Sequence, residues 1–181
     1  MKNKIYAFET DTVWGLGCRP DDREAVEKIY EIKGRESAKP LILMSNNFEN
    51  LLKYAKNPSK EALLLAKKYL PGALTVIVEK SDECPNYISA NFNTIGLRVP
   101  NHKGFQALCE RIEGKVLATT SANFSGEPPC QTREEVIEKL GKYLHYITPS
   151  VQKPENVPST VVSTVGGIKI LREGKIKINP I

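Results

Sequence analysis

The stretch KVLATTSANFSG, residues 115–126, passes from an apolar run into a cluster of small polar side chains. Val116, Leu117 and Ala118 predict a buried strand, and residues 119–126 then bring four hydroxyl groups, one amide and a glycine. Asn and Ser side chains that bond their own backbone could make this an elaborate turn. Four hydroxyl groups exceed what a turn requires, so the stretch also predicts one wall of a ligand-binding site.

Strands and helices alternate on both sides of this stretch. Short apolar or β-branched runs predict strands within residues 4–8, 40–45, 71–80, 94–100, 115–121 and 144–149, and a hairpin around residues 166–167. Apolar residues at helical spacing predict helices within residues 21–35, 47–55, 59–70, 103–112 and 132–140, the first capped by Asp21 or Asp22. This order favours an α/β fold, a mixed twisted sheet with flanking helices, in a single domain over residues 1–181.

The composition excludes several classes of protein. The 181 residues include four scattered cysteines without a C-x-x-C pair and two histidines outside any triad pattern, which argues against a zinc knuckle, a disulfide framework and hydrolase chemistry. No apolar run is long enough for a membrane span and no signal peptide is recognisable, so we expect a cytoplasmic protein without a membrane partner. The net charge of +5 favours anionic partners such as nucleotides.

The loop after the first predicted strand, residues 9–20, is a second candidate site. Thr10, Asp11 and Thr12 precede Gly15 and Gly17, and such a loop can present hydroxyl and amide groups to an anion. A plain turn is the alternative. Neither the dinucleotide fingerprint nor the Walker loop is present, because the required glycine and Lys-Ser/Thr spacings are missing.

Basic residues mark two further positions. Lys33, Arg35 and Lys39 lie within seven residues, where they complement a helix C-terminus or form a clamp for phosphate groups. Arg98 stands in a predicted strand, so it must be solvated at an edge, paired, or directed at a carboxylate or phosphate.

In this order, the segments TDTVWGLG, KGRESAKPL, LPGALTVIV, GLRVP, TTSANFSG, PSTVV and LREG resemble the YrdC-like family of threonylcarbamoyl-AMP synthases. The resemblance covers nearly the whole chain and implies a twisted open sheet with a concave basic cavity. It also implies a nucleotidyltransferase that converts L-threonine, bicarbonate and ATP into threonylcarbamoyl-AMP and pyrophosphate. A separate tRNA threonylcarbamoyl transferase would receive the product, and Mg²⁺ would accompany ATP.

The resemblance implies roles for individual residues. It implies threonine contacts at Thr12, Arg98, Thr119 and Ser159. It implies ATP contacts at Arg35, Lys39, Thr94, Ser121, Asn123 and Arg172. Lys33 and Arg35 would serve as catalytic cations, and no side chain would be a metal ligand.

The sequence departs from the family pattern at three positions. Glu9 stands where the first motif commonly begins with proline, Trp14 replaces a tyrosine, and Met44 replaces a histidine of many relatives. The motifs end near residue 174, so we expect the short, single-domain form of the family. Two alternatives stay open: an RNA-binding or ribosome-assembly module, and a paralogue that uses another carbamoyl adenylate.

Overall fold

A computed structural model describes residues 3–34 and 39–179. Its centre is a nine-stranded mixed sheet in the order β7-β1-β2-β6-β3-β5-β4-β8-β9. The strands are β1 (Tyr6–Phe8), β2 (Gly15–Cys18), β3 (Ile42–Ser45), β4 (Leu74–Glu79), β5 (Thr94–Arg98), β6 (Val116–Ser121), β7 (Tyr146–Ile147), β8 (Thr160–Ser163) and β9 (Lys169–Arg172). The predicted α/β class with a mixed open sheet is confirmed.

Within the described ranges, six α-helices and one short 3₁₀ helix, Gly141–Tyr143, connect the strands. The helices are α1 (Arg23–Lys33), α2 (Glu49–Leu52), α3 (Lys60–Tyr69), α4 (Asn86–Ser89), α5 (Lys103–Glu110) and α6 (Arg133–Leu140). Of the two N-cap candidates for α1, Asp22 is the cap, and its carboxylate accepts a hydrogen bond from the Ala25 amide. The helix expected over residues 47–55 is shorter than expected, because only Glu49–Leu52 is helical. No helix in the described ranges is both long and apolar enough to cross a membrane.

The two faces of the sheet are covered unequally. Along β6, Val116 and Ala118 belong to the large core on one face, whereas Leu117 belongs to a smaller cluster on the other. That alternation follows from the pleat, which directs successive side chains to opposite faces. Helix α5 covers the second face only in part, through Phe105 and Leu108. Thr119 and Ser121 share the face of Leu117, and this part of the sheet forms the floor of a cavity.

Strand β2 differs from the sequence prediction, which made all of residues 9–20 a loop. Gly15 pairs with Phe8 across the β1–β2 ladder, and a Cβ atom on Gly15 would lie 2.6 Å from Cε2 of Phe8. Glycine therefore makes room for the Phe8 ring within a strand, rather than breaking it.

Candidate functional site

A cavity of about 340 Å³ lies on the partly covered face of the sheet. Seven of its lining residues carry hydroxyl groups and two are arginines. The polar lining residues are Thr10, Thr12, Thr75, Arg98, Thr119, Thr120, Ser121, Ser159 and Arg172. The apolar lining includes Val13, Ile42, Met44, Ile77 and Val161. A cavity with cationic groups and short hydrogen-bonding side chains suits a small anionic ligand.

Arg98 is the best-fixed charge in the cavity. It is only 3% exposed, and its Nε donates to the Gly72 carbonyl oxygen over 3.1 Å. Its Nη1 donates to Oγ1 of Thr12 over 2.9 Å, and its Nη2 donates to Oδ1 of Asp11 over 2.5 Å. Burial lowers the pKa of the guanidinium, and the carboxylate of Asp11 opposes that shift. Arg98 is therefore paired, and it lies in an interior strand rather than at an exposed edge.

The C-terminal part of the chain contributes Ser159 and Arg172 to the cavity wall. The Nη2 of Arg172 donates to the carbonyl oxygen of Ser159 over 2.9 Å and to its Oγ over 3.1 Å. The Ser159 hydroxyl also lies 2.9 Å from Oγ1 of Thr75. The bonds from Arg172 hold the segment before β8 to β9. The Thr75 and Ser159 hydroxyl groups lie side by side at the cavity wall.

Lys33 lies behind the hydroxyl-rich loop of residues 119–126. It is 3% exposed, and its Nζ donates to the carbonyl oxygen of Ser121 over 2.8 Å and to the side-chain oxygen of Asn123. The Ser125 amide in turn donates to the Lys33 carbonyl oxygen over 2.9 Å. The ammonium group is thus tied to the hydroxyl-rich loop, and it does not line the cavity.

The predicted site residues fall into three groups. Those that line the cavity are Thr12, Arg98, Thr119, Ser121, Ser159 and Arg172. Lys33 and Asn123 lie behind Ser121, and exposed Lys39 lies beside the lining residue Pro40. Thr94 lies at the start of β5, at the other end of the strand from Arg98, and does not line the cavity. Arg35 lies outside the described residues. The ligand roles of all these residues stay predictions.

Sequence reasoning missed the partner of Arg98. Asp11 stands one residue before the predicted ligand Thr12, and its carboxylate holds the guanidinium from a position 87 residues away in the chain. The signal was available, because an arginine in a buried strand requires a carboxylate or an anionic ligand. Which carboxylate it would be depends on the fold.

The described part of the chain holds no group of three His, Cys, Asp or Glu side chains that could bind a metal ion. Asp11 pairs with Arg98 beside the cavity.

A family model named for Sua5, YciO and YrdC, with the description telomere recombination, matches residues 1–174. The chain belongs to this family. The family membership confirms the resemblance to YrdC-like proteins.

Named relatives agree with the family assignment. A threonylcarbamoyl-AMP synthase of Vibrio campbellii is 38% identical over 94% of this chain and 92% of its own length. A threonylcarbamoyl-AMP synthase of Pyrococcus abyssi is 35% identical over 99% of this chain, which spans 53% of that longer relative. The crystal structure of P. abyssi Sua5 complexed with L-threonine superposes with a TM-score of 0.89 at 35% identity, over 95% of this chain and 51% of the other.

Proposed function

We propose that the chain is a threonylcarbamoyl-AMP synthase, a nucleotidyltransferase that uses L-threonine, ATP and bicarbonate. The observation that carries the proposal is the buried Arg98 among the hydroxyl groups of a cavity. Relatives that match over more than nine-tenths of both chains carry the synthase name. We therefore assign the cavity around Arg98 to the substrates of a synthase.

Threonine fits the end of the cavity around Arg98. A guanidinium has five N–H groups, and its contacts with described residues use three of them, on Gly72, Thr12 and Asp11. The other two N–H groups suit the carboxylate of an amino acid, which takes such pairs of bonds readily. The backbone around Thr119 and the hydroxyl group of Ser159 complete this proposed subsite.

ATP would occupy the part of the cavity near Ser121 and Arg172. We place Arg35 and Lys39 at the phosphates, with Thr94 and Asn123 as further contacts, and Lys33 as the cation that fixes Ser121. A loop held by a buried ammonium is ordered before the nucleotide arrives. Such preorganised donors are the usual source of catalysis in transfer to phosphorus.

The proposed reaction has two steps. The threonine amine attacks bicarbonate, and water leaves as the carbamate forms. A carbamate oxygen then bonds to the α-phosphorus of ATP, while the bond from that phosphorus to the bridging oxygen breaks and pyrophosphate departs. No protein nucleophile is needed, so the side chains act by holding the two substrates in line and balancing charge.

Mg²⁺ is proposed as a companion of ATP, bound by phosphate oxygens and water. The downstream acceptor is proposed to be a tRNA threonylcarbamoyl transferase, and the compartment the cytoplasm. An RNA-binding module and a paralogue acting on another carbamoyl adenylate are the competing functions. RNA affinity that falls steeply with salt would favour the first of them.

Pyrophosphate release tests the proposal. The purified protein is incubated with ATP, threonine and bicarbonate, with each substrate omitted in turn and with serine or GTP as replacements. Release is expected only with the complete set, accompanied by threonylcarbamoyl-AMP in mass spectra. Release that does not depend on threonine would count against the synthase, and ATP binding without threonine binding would favour the paralogue.

A further inference from the structure

Glu9 is a buried carboxylate that no predicted role uses. It is 1% exposed and stands directly before Thr10, Asp11 and Thr12. Burial of an anion is costly unless several donors surround it, so its partners indicate what the position requires.

The partners of Glu9 lie in one irregular segment, residues 148–158, here called the strap. Oε2 of Glu9 accepts hydrogen bonds from the Val151 amide over 2.8 Å and from the Gln152 amide over 3.2 Å. Its Oε1 accepts a bond from the Ser150 hydroxyl. Three consecutive strap residues are thus fastened to one side chain of the loop after β1.

His102, at the start of α5, contacts both Glu9 and the strap. It is the N-cap of α5, where its Nδ1 accepts the Phe105 amide over 3.3 Å. That bond places the ring proton on Nε2, which lies 3.1 Å from the Gln152 carbonyl oxygen and 3.3 Å from Oε2 of Glu9. The Nε2–H group therefore donates to the Gln152 carbonyl oxygen, and the Glu9 carboxylate lies beside it.

The strap continues the course of β7 beside β1. The ladder pairs Ala7 with Ile147, and the Thr148 amide still donates to the Ala7 carbonyl oxygen. Further on, the Asn156 amide donates to the Thr12 carbonyl oxygen over 2.8 Å. Between these two points, the carboxylate of Glu9 accepts bonds from Ser150, Val151 and Gln152, and the Glu155 amide donates to the Asp11 carbonyl oxygen over 3.4 Å.

The strap ends at the cavity. Pro158 and Ser159 line it, and Ser159 is held by Thr75 and Arg172 as described above. Most strap residues are exposed, so few apolar contacts hold the segment in place. The strap that leads to Ser159 is thus fixed to the loop after β1 at Glu9 and, further on, at Asn156, whereas Ser159 itself is held by Thr75 and Arg172.

We propose that Glu9 is a positioning residue of the threonine site, whose carboxylate fixes the strap against the loop after β1 and so sets Ser159 against Thr12 and Arg98. The inference rests on the proposed function, since threonine is the ligand whose site is positioned. ATP contacts on Ser121 belong to another strand and are left in place.

Steady-state kinetics of pyrophosphate release tests the proposal with Glu9→Ala, Glu9→Gln and the control Glu113→Ala. Glu113 carries an exposed carboxylate paired with Arg19, away from the cavity. Glu9→Ala is expected to raise KM for threonine by about tenfold or more, since small displacements of positioning groups are costly. Its KM for ATP should stay within about twofold, and Glu9→Gln, which keeps one acceptor oxygen, should stay within about threefold for threonine.

Hydrogen exchange on the unaltered protein gives a second measurement that does not depend on how Glu9→Ala folds. Threonine is expected to slow exchange at the Val151, Gln152 and Asn156 amides, and ATP alone is not. An unchanged threonine KM in Glu9→Ala, an equal rise in both KM values, or no threonine effect on strap exchange would overturn the proposal. A wild-type protein that releases no pyrophosphate would instead refute the synthase function itself.

Discussion

At the scale of single residues, Arg98 has a structural and a ligand-binding task at once. Its guanidinium neutralises the Asp11 carboxylate, whose side chain is only 12% exposed, and the proposed threonine carboxylate adds a second anion. Removing one partner of a buried pair leaves the other charge without compensation. A single substitution of Arg98 therefore lowers both the stability of the fold and the affinity for threonine. Substituting Asp11 together with Arg98 separates the two effects.

We expect Arg98→Met to destabilise the fold by about 3 kcal/mol, because the mostly covered Asp11 carboxylate is left without its cation. The same change should raise KM for threonine by about 30-fold or more, as is usual when a charged contact is lost. The double variant Asp11→Asn/Arg98→Met should regain much of the stability without regaining threonine affinity. Urea unfolding and kinetics measure the two effects, and a double variant that regained threonine use would refute the role of Arg98.

Lys33 acts through the loop that it holds. We expect Lys33→Met to cost about 1–3 kcal/mol, since the side-chain and carbonyl acceptors of Ser121 and Asn123 lose a buried donor. KM for ATP should rise with little change in KM for threonine. Lys28→Met on the same helix is the control, because that lysine forms an exposed pair with Glu31 and such changes alter stability by about 0.5 kcal/mol or less. Equal KM values for ATP in both variants would contradict the assignment.

At the scale of elements, the two ends of α1 should differ in their effect on function. Asp22 caps its start, and Gly34 ends it with a backbone φ of 58°, in the left-handed region. Asp22→Ala removes a capping bond, and Gly34→Ala strains that φ, so each should cost about 1 kcal/mol of stability.

Only the substitution at Gly34 should alter the 119–126 loop beside the cavity. Lys33 precedes Gly34, and both its carbonyl oxygen and its ammonium group bind the 119–126 loop. We therefore expect Gly34→Ala to raise KM for ATP by about threefold or more and Asp22→Ala to leave it unchanged. Chemical denaturation confirms that the two variants are matched in stability, and identical kinetics would show that the helix end does not position the loop.

Elements also show how far sequence reasoning extends. Five of the six helices in the described ranges were predictable because apolar spacing and caps are local signals, as Asp22 and Thr132 illustrate, whereas the short α4 (Asn86–Ser89) was not predicted. Strand β2 was not predictable, since its glycines suit either a loop or a close approach to Phe8, and only the pairing decides between them. The strap was not predictable either, because its regularity lies in side-chain bonds from Glu9 rather than in its own pattern.

At the scale of the whole molecule, the sheet order explains why the site residues are scattered in sequence. The sheet places β5, which carries Arg98, between β3 and β4, and it places β6 beside β2 and β3. The motifs were therefore recognisable in order along the chain, whereas the pairing of Asp11 with Arg98 required the topology. Of the six predicted ligand residues that line the cavity, four lie on β5, β6 and β9, whereas Thr12 and Ser159 lie in the segments just before β2 and β8.

The core as a whole should be sensitive to alkaline pH. Burial raises the pKa of Cys84 to about 11 and that of Cys109 to about 12, and it raises the pKa of Cys18 further. A thiol whose folded pKa lies above the unfolded value of 9.0 stays protonated in the fold after the unfolded chain has ionised. Its contribution to stability is complete below pH 9 and is lost as the pH rises toward the folded pKa.

The expected loss is about 1 kcal/mol per thiol between pH 8 and pH 10. Urea unfolding at the two pH values should therefore show a markedly smaller free energy of unfolding at pH 10 for the wild-type protein. The variant Cys18→Ala/Cys84→Ala/Cys109→Ala is less stable at pH 8, because each change removes packed volume, but its free energy of unfolding should depend less on pH. The change in the free energy of unfolding between pH 8 and pH 10 is compared between the wild-type protein and the variant. Because the two proteins share all other titrating groups, the difference between these two changes reports the ionisation of the three thiols. An equal dependence on pH in both proteins would mean that the three thiols ionise as readily in the fold as in the unfolded chain.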